Sequence, residues 1–549
     1  MRTPLLRSLA QLAHDHALAE RLGVRPDDVR AERALNRERR QGEITRRDFL
    51  AGSAAAGAAL ALGATAGFPR TVLGAGPRIA VVGGGIAGLT TALTLADKGV
   101  ASTVYESSDR IGGRMHSDTR GYWSESQTSE WCGELIDSNH KTILSLAQRY
   151  RLATVDLLGA EPNSSEDTYR FFGAYYTKAQ ADSDFQVVHQ ALQGDVQAAS
   201  YPTLYNLNTT AGVALDRMSV YEWIDSRVPG GHGSPFGRLL DVAYNIEYGA
   251  ETTDQAALNL VYLLGYKARP GNFAIFGASD ERYHIVGGNE RLPQTIGADL
   301  AARGSAVRTG WRMTSIARRS DGTYALSFDG VKTAVIADQV VLALPFAVLR
   351  TLDYAKAGFD TLKKTAIRDL GRGQNDKLQL QFTSRPWNAT GPWPGISNGS
   401  SYSDTGYQNT WDVTRGQPGR SGILVDYTGG DVAASFQPST PYSDASDAAV
   451  GAYARTFLDQ LKPVFPGIDL PGVWNGKATL SAPSLDPNLK CSYSYWRVGQ
   501  YTAFAGYEKQ RQGNVHFAGE HCSQDFQGFM EGGASEGVRA GGEILADLK

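Results

Sequence analysis

The chain has 549 residues, of which 42% are hydrophobic and 20% charged, as is ordinary for a folded protein in water. One hydrophobic core rarely serves a chain of this length, so we predict two domains. The net charge of −3, without a basic stripe, excludes a typical nucleic-acid-binding protein. No apolar run is long enough for stable membrane insertion, and three cysteines cannot form a disulfide framework.

The N-terminal region has the features of an export signal. Residues 1–42 are polar and rich in Arg and Glu, and Arg46 and Arg47 form an adjacent pair. A small-residue run from 51 to 66 follows and ends in an Ala-x-Ala sequence. This pattern predicts a twin-arginine signal within residues 1–66 and a periplasmic or secreted protein. The alternative is a tail that contains two arginines by chance.

The first folded segment is a short apolar run followed by glycines. Residues 79–82 predict a buried parallel strand, and the glycines turn the chain into a helix. Gly83 permits the tight turn, Gly85 lets backbone approach a pyrophosphate, and Gly88 lets the helix pack closely on the strand. Ala87 lies in the first helical turn, whose free N–H groups favour phosphate. The alternative is a glycine-rich turn in some other α/β unit.

The residues after this helix indicate a dinucleotide and narrow its identity. A second strand, 101–105, ends at Glu106, which is spaced to accept hydrogen bonds from a ribose. Arg110, the pair 112–113 and Arg114 follow. A nicotinamide site has no obvious need for this extension. A cofactor whose pyrophosphate is gripped from a second side does need it, because an arginine fork matches phosphate oxygens.

These motifs resemble the flavin-dependent amine oxidase family, which includes monoamine oxidases, polyamine oxidases and L-amino-acid oxidases. The resemblance extends from about Pro77 to the C-terminus and implies an α/β fold with a Rossmann-like FAD-binding domain and an α+β substrate-binding domain. It implies that Glu106 binds the adenosine ribose and that Gly112, Gly113 and Arg114 lie along the FAD phosphates. The implied segments are 77–137, 284–345 and 495–549 for the FAD-binding domain, and 138–283 and 346–494 for the substrate-binding domain.

Residues 131–137 predict a strand that turns back toward the flavin. By resemblance, Gly133 and Glu134 pass beside the cofactor, and Asp137 stands where polyamine oxidases carry an acid. A carboxylate lining the substrate passage favours a cationic amine. The alternative is that Asp137 caps the helix predicted over 141–150 or pairs with a nearby base.

The middle of the chain carries few chemical signals. Residues 151–282 mix helical stretches (187–192, 220–226, 256–266) with glycine-rich loops. The following residues predict a helix ending near 302, a strand over 307–316, a hairpin of 324–328 with 331–336, and a buried strand over 340–345. By resemblance, the strand that ends at Pro345 reaches the cofactor, and Met313 gives backbone hydrogen bonds to the adenine.

Lys377 lies near the start of a predicted strand with alternating polarity. The family places a lysine there, which holds a water against flavin N5, and Lys377 matches that position. A cation or a poised water beside N5 can steer flavin reoxidation and handle protons near the substrate nitrogen. The alternative is a solvated lysine on an edge strand.

The C-terminal third completes the resemblance. Tyr493 and Phe529 match two aromatic walls over the re face of the flavin, where parallel rings would strip water from a flat aminomethyl group. Gly519 and Glu520 follow an apolar strand and are expected at the ribityl–pyrophosphate end. Met530 begins a helix aimed at the flavin pyrimidine side. The alternative is that the two aromatics belong to the core.

The cysteine that tethers FAD in some family members is displaced here. Ser492 precedes Tyr493, and Cys491 lies one place earlier. Neighbouring strand residues face opposite sides, so we predict noncovalent FAD. His521 and Cys522 lack a spaced partner pair, and no metal is predicted.

The resemblance implies an FAD-dependent oxidation of amines. Hydride passes from the amine α-carbon to flavin N5, the imine hydrolyses, and molecular oxygen is reduced to hydrogen peroxide. The small-molecule amine and oxygen are the expected partners, and the oligomeric state is left open, a homodimer being one option. The alternatives are an L-amino-acid oxidase, which needs a cation for the substrate carboxylate, an FAD-dependent desaturase or isomerase, and a non-catalytic flavoprotein.

Overall fold

The secondary structure of residues 76–549 is described by a computed structural model. The strands are β1 (Ile79–Val82), β2 (Thr103–Tyr105), β3 (Ser117–Asp118), β4 (Ser129–Glu130), β5 (Thr154–Asp156), β6 (Ser165–Phe171), β7 (Ala174–Tyr176), β8 (Tyr283–Ile285), β9 (Ala306–Arg308), β10 (Met313–Arg318), β11 (Tyr324–Phe328), β12 (Val335–Ala337), β13 (Gln339–Leu342), β14 (Gly371–Arg372), β15 (Asn375–Phe382), β16 (Ile396–Ser403), β17 (Asn409–Asp412), β18 (Gly422–Gly429), β19 (Tyr442–Asp444), β20 (Trp474–Ser481), β21 (Ser494–Tyr495) and β22 (Val515–Phe517). The helices are α1 (Ile86–Ala96), α2 (Lys141–Arg149), α3 (Lys178–Ala199), α4 (Thr210–Asp216), α5 (Val220–Arg227), α6 (Pro235–Tyr248), α7 (Ala257–Gly265), α8 (Arg291–Ala302), α9 (Phe346–Leu349), α10 (Thr361–Asp369), α11 (Gly430–Ala434), α12 (Ala448–Leu461), α13 (Leu470–Val473), α14 (Gln500–Phe504) and α15 (Met530–Asp547).

A parallel sheet carries the glycine-rich turn. Its strand order is β22-β13-β1-β2-β9, and each neighbouring pair is parallel. Every residue of β1 and β13 is buried, as expected for a sheet covered on both faces. Helix α1 starts directly after the turn, and α15 packs along it. The Rossmann-like sheet built from distant segments is therefore confirmed.

A second, mixed sheet carries Lys377. Its order is β19-β20-β15-β18-β17-β16-β6-β7, so it joins residues 165–176 with residues 375–481. Lys377 pairs with Tyr427 on one side and Ser481 on the other. Strand β15 is thus internal and buried along its whole length, which excludes the edge-strand alternative. Alternate residues of β15 form an apolar face, which packs into the core, and a polar face, which is also buried. On the polar face, Gln379 donates to the carbonyl of Glu130.

Several predicted elements differ from the structure. Residues 131–137 run as a loop because their backbone groups bond to neighbouring loops, Gly133 N–H to the carbonyl of Arg114 for example. The predicted strand 307–316 is divided between the parallel sheet and an antiparallel sheet of β10, β11 and β12. The chain turns between these strands at Gly310, which has a φ of +73°. The second arm of the hairpin is shorter than predicted and begins at Val335.

The division into two domains stays a prediction, since residues 77–549 pack as one unit. Within the described part of the chain, no helix combines the length and the apolar character needed to cross a membrane. The predicted export signal lies outside the described residues.

Candidate active site

A cavity of about 450 Å³ lies where the two sheets meet. The predicted site residues on its wall are Gly83, Gly85, Ala87, Glu106, Arg110, Gly112, Gly113, Arg114, Gly133, Glu134, Pro345, Lys377, Tyr493, Gly519, Glu520, Phe529 and Met530. These residues come from loops, from β15 and from the first turns of α1 and α15, and some are hundreds of positions apart in the chain. The structure therefore brings most of the predicted site together.

The glycine-rich turn leaves room for backbone to approach a ligand. Gly83 has a φ of +109°, and a Cβ added there would lie 2.4 Å from the carbonyl oxygen of Ala343, directly after β13. A Cβ on Gly88 would lie 1.9 Å from the Gly83 carbonyl oxygen, so Gly88 serves the packing of α1 and does not line the cavity. No side chain caps α1 at Gly85, which leaves its first N–H groups free for phosphate oxygens. Gly112, in the loop after β2, forms an isolated β-bridge with Gly85.

Several polar groups on this wall fit a nucleotide cofactor. Glu106 accepts hydrogen bonds from Gly84 N at 2.6 Å and Ser108 N at 2.8 Å, which hold the carboxylate at the end of β2. The buried Nη1 of Arg110 and both ring nitrogens of His521 have no hydrogen-bond partner among residues 76–549. Such unpartnered buried groups are expected where a polar ligand binds. The residues present therefore fit a dinucleotide that carries a pyrophosphate.

An ion pair between Arg114 and Glu520 connects separate segments of the cavity wall. Arg114 Nη1 donates to Glu520 Oε1 at 2.9 Å and to the Ser492 carbonyl at 2.9 Å. Glu520 Oε2 accepts from Ser494 Oγ at 2.7 Å and Gly528 N at 2.9 Å. Burial raises the pKa of Glu520, but the Arg114 charge and these donors outweigh burial, and the pKa is lowered overall. Glu520 is therefore a carboxylate, and its contact with the cofactor stays a prediction.

Lys377 lies on the cavity wall, and its place beside flavin N5 stays a prediction. Its Nζ donates to Glu134 Oε2 at 2.7 Å and to the Cys132 carbonyl at 2.8 Å. Trp411 Nε1 donates to Glu134 Oε1 at 2.8 Å, so both carboxylate oxygens are occupied. Glu134 was expected to bind the cofactor. Its carboxylate is bonded to Lys377 and Trp411, and the contact of Glu134 with the cofactor stays a prediction.

Tyr493 and Phe529 both line the cavity. The Tyr493 hydroxyl bonds to the Tyr427 hydroxyl at 2.8 Å and donates to the Ile246 carbonyl at 2.9 Å. Phe529 precedes α15, and its ring lies 5.3 Å from that of His140, edge to face. Each ring is held by its own neighbours, and their role as paired walls stays a prediction.

Asp137 does not line the cavity, which corrects its prediction as a substrate residue. The side chain is buried, and it accepts from Ser279 Oγ at 2.7 Å and from Glu281 N at 2.9 Å. Its carboxylate also lies 3.5 Å from His140 Nε2. The chain turns at this point, so the carboxylate satisfies a neighbouring loop. Burial lowers the pKa of the neighbouring His140 to about 4, so its ring is neutral near pH 7 and the pairing of Asp137 with a charged base is not supported.

Two further sequence assignments lie off the cavity wall. The Met313 side chain is buried in the core beside Tyr105 and Phe328, so the predicted adenine contact by its backbone stays a prediction. Cys491 is buried, and its Sγ lies 3.5 Å from the Leu489 carbonyl. The side chain of Cys491 is absent from the lining of the cavity, in keeping with the predicted noncovalent cofactor.

Sequence reasoning missed a group of acidic residues on the cavity wall. Glu161 accepts from Arg415 Nη1 at 2.7 Å, and Asp167 accepts an amide hydrogen bond. Glu247, at the end of α6, and Glu281 also line the cavity, and neither carboxyl has a hydrogen-bond partner in the described part of the chain. Burial raises the pKa of Glu281 to about 8, with the Asp137 charge adding to the effect, and raises that of Glu247 well above its ordinary value. No motif marks these positions.

The family of the chain follows from comparison with known proteins. A model of the family described as flavin containing amine oxidoreductase matches residues 86–545, so the chain belongs to that family. It is a flavin amine oxidoreductase, an enzyme whose cofactor is FAD. A model of the twin-arginine translocation signal matches residues 43–63, which confirms the predicted export signal and the periplasmic or secreted location.

Individual relatives are distant but similar over most of their length. Polyamine oxidase 2 of Arabidopsis thaliana is 25% identical over 473 residues, which cover 84% of this chain and 87% of the relative. A putative L-amino-acid oxidase of Bacillus subtilis (strain 168) is 23% identical over 486 residues, 85% of this chain and 94% of that protein. Cyclohexylamine oxidase from Brevibacterium oxydans IH-35A has a TM-score of 0.72 at 19% identity, over 86% of this chain and 99% of that one. Wild-type putrescine oxidase bound to putrescine has a TM-score of 0.69 at 18% identity, with the same coverage. These structures confirm the fold.

Proposed function

We propose that this enzyme oxidises amines that carry a second positive charge, such as diamines and polyamines. The products are an imine, which hydrolyses to a carbonyl compound, and hydrogen peroxide formed from oxygen. The observation that carries the proposal is the pair of unpartnered carboxyls, Glu247 and Glu281, on the cavity wall. The polyamine oxidase and putrescine oxidase among its relatives support the same substrate class.

The charge argument rests on what would satisfy these two carboxyls. Burial without a partner penalises their ionised forms, so in the empty cavity they favour the protonated state. A bound ammonium would reverse this preference, because two unit charges about 4 Å apart attract by roughly 4 kcal/mol at the effective dielectric near a protein surface. A neutral tail would leave the carboxyls unsatisfied. The distal ammonium of a diamine is therefore the tail that this wall favours.

The remaining wall residues act on the reacting amine. FAD, when bound, supplies the acceptor for the hydride that leaves the α-carbon. Tyr493, fixed by Tyr427, excludes water from the reacting nitrogen and so favours the neutral amine that oxidation requires. Lys377 presents an ammonium group held by Glu134 at the same wall.

An L-amino-acid oxidase is the second candidate, and one observation favours it. Arg415 lines the cavity and is a possible partner for a substrate carboxylate. However, its guanidinium already donates to Glu161 at 2.7 Å and to the Asp412 carbonyl at 3.0 Å. Because Arg415 is neutralised in place, we favour the amine without a carboxylate.

Peroxide release from a panel of amines and L-amino acids tests the proposal. We expect 1,4-diaminobutane or a longer polyamine to give the highest kcat/KM. E247Q and E281Q should raise KM for the diamine by about tenfold or more and leave that for phenylethylamine nearly unchanged, since each removes one charge worth up to a few kcal/mol. E166Q is the matched control, because Glu166 is exposed and lies off the cavity wall. Faster turnover of L-amino acids than of diamines, or equal effects on both amines, would contradict the proposal.

A further inference from the structure

An ion pair between Lys377 and Glu134 is buried in the wall of the cavity. The two side chains are 7% and 5% exposed, although both line the cavity. The residues lie 243 positions apart in the chain, and the packing of β15 against the loop after β4 brings them together. A buried pair of this kind is a weak source of stability, since desolvation offsets much of the attraction. Its position on the wall of the cavity calls for another explanation.

We propose that Glu134 is a positioning residue for amine oxidation, acting through Lys377. It holds the ammonium group of Lys377 in one direction and cancels its charge beside the flavin. This inference concerns the reaction common to the family and is independent of which amine is the substrate.

The hydrogen bonds define a single orientation for the ammonium. An ammonium has three N–H groups, and two of them are used by Glu134 Oε2 and the Cys132 carbonyl. The third remains for a group inside the cavity, because Lys377 itself lines the wall. Without Glu134, a flexible four-carbon stem would let the ammonium move among several positions.

Glu134 is in turn fixed from two sides. The Trp411 indole donates to its second carboxylate oxygen at 2.8 Å, and Asn289 Nδ2 donates to its backbone carbonyl at 2.7 Å. A carboxylate is suited to orienting another side chain when both its oxygens and the backbone of its residue are held by hydrogen bonds. A residue that only filled space would not need this support.

The ion pair also determines the charge state of the Glu134 carboxyl. Burial raises the pKa of Glu134, but the nearby Lys377 charge outweighs burial and lowers it overall. The Lys377 charge therefore stabilises the ionised form of Glu134. The other titratable groups facing the pair are Cys132, His284 and Glu281. None of these replaces the carboxylate that touches Nζ.

Four variants test this inference: E134Q, E134D, K377M and the double variant E134Q/K377M. In E134Q we expect kcat for the best amine to fall by about tenfold, because the ammonium is no longer held in one direction. E134D keeps the charge and should restore most of the wild-type turnover.

The reduction potential of the bound flavin is the readout that is independent of turnover. At pH 6.5 it should rise in E134Q, which leaves an uncompensated cation, and fall in K377M, which leaves an uncompensated anion. The double variant has no net charge change and should return toward the wild-type potential while turnover stays at the K377M level. An unchanged potential in E134Q would overturn the inference, as would a turnover loss from E134Q that persists in the K377M background.

If E134Q alone does not fold, comparison of the double variant with K377M still decides the matter. A neutral pair is tolerated in place of a buried ion pair, so the double variant is expected to fold. Its flavin potential should lie above that of K377M. Equal potentials in the two would overturn the inference.

Discussion

Helix α15 packs on α1 through glycines spaced four residues apart, and this contact allows a quantitative prediction. Gly533, Gly537 and Gly541 face α1, and a Cβ added to Gly537 would lie 2.3 Å from the Ala87 carbonyl oxygen. The Thr91 hydroxyl already donates to the Gly537 carbonyl at 3.1 Å. Both helices begin at the cavity, so their spacing affects the site as well as the core.

We expect G537A and G542A to change stability in opposite directions. Alanine is favoured over glycine within a helix by about 1 kcal/mol at both positions. At Gly542 nothing lies within 4 Å of the added Cβ, so this gain remains and G542A is about 0.5–1 kcal/mol more stable. At Gly537 the added atom meets rigid backbone, and the helices must separate. Overpacking of this kind costs about 1–3 kcal/mol, which exceeds the gain.

Urea unfolding of the two variants, followed by flavin fluorescence and circular dichroism, measures this difference. G537A should unfold at lower urea than the wild type and should retain less FAD after dialysis, because α1 presents its free N–H groups to the cofactor. G542A should unfold at equal or higher urea and keep its FAD. If both variants have the same midpoint, the proposed close packing of α15 on α1 is refuted.

Three further outcomes are expected. K377M should keep FAD but slow flavin reduction or reoxidation in stopped-flow measurements. It should also lower the free energy of unfolding by about 3–5 kcal/mol, since Glu134 is left as a buried unpaired charge. Turnover at the wild-type rate would show that the lysine has no part in the reaction. Acid precipitation should release the flavin to the supernatant, because Cys491 is not on the cavity wall, and yellow precipitated protein would disprove noncovalent binding. The stability of the amine-free enzyme should fall as pH rises from about 5 to 8, because folding raises the pKa of Glu281 to about 8 and the folded state then binds more protons than the unfolded state. E281Q should flatten this dependence in thermal unfolding at several pH values, and an unaltered slope would exclude Glu281 as its source.

The sequence alone determined the features whose geometry is local. The strand, the glycine turn and α1 lie within twenty residues, and tight turns and close approaches demand glycine at defined positions. The resemblance then identified Lys377, Tyr493 and Phe529, because the family's motifs are contiguous around each of them. All three line the cavity.

Only the tertiary structure decided which charged groups meet. Asp137 and Glu281 are both acids in loops, yet packing buries the first and directs the second into the cavity. Glu134 and Lys377 meet across 243 positions of sequence. The properties of a carboxyl group depend on its burial and its partners, and neither is encoded by a local period or motif. Those properties are set where the mixed sheet packs against the loop after β4, as in the contact of Lys377 with Glu134.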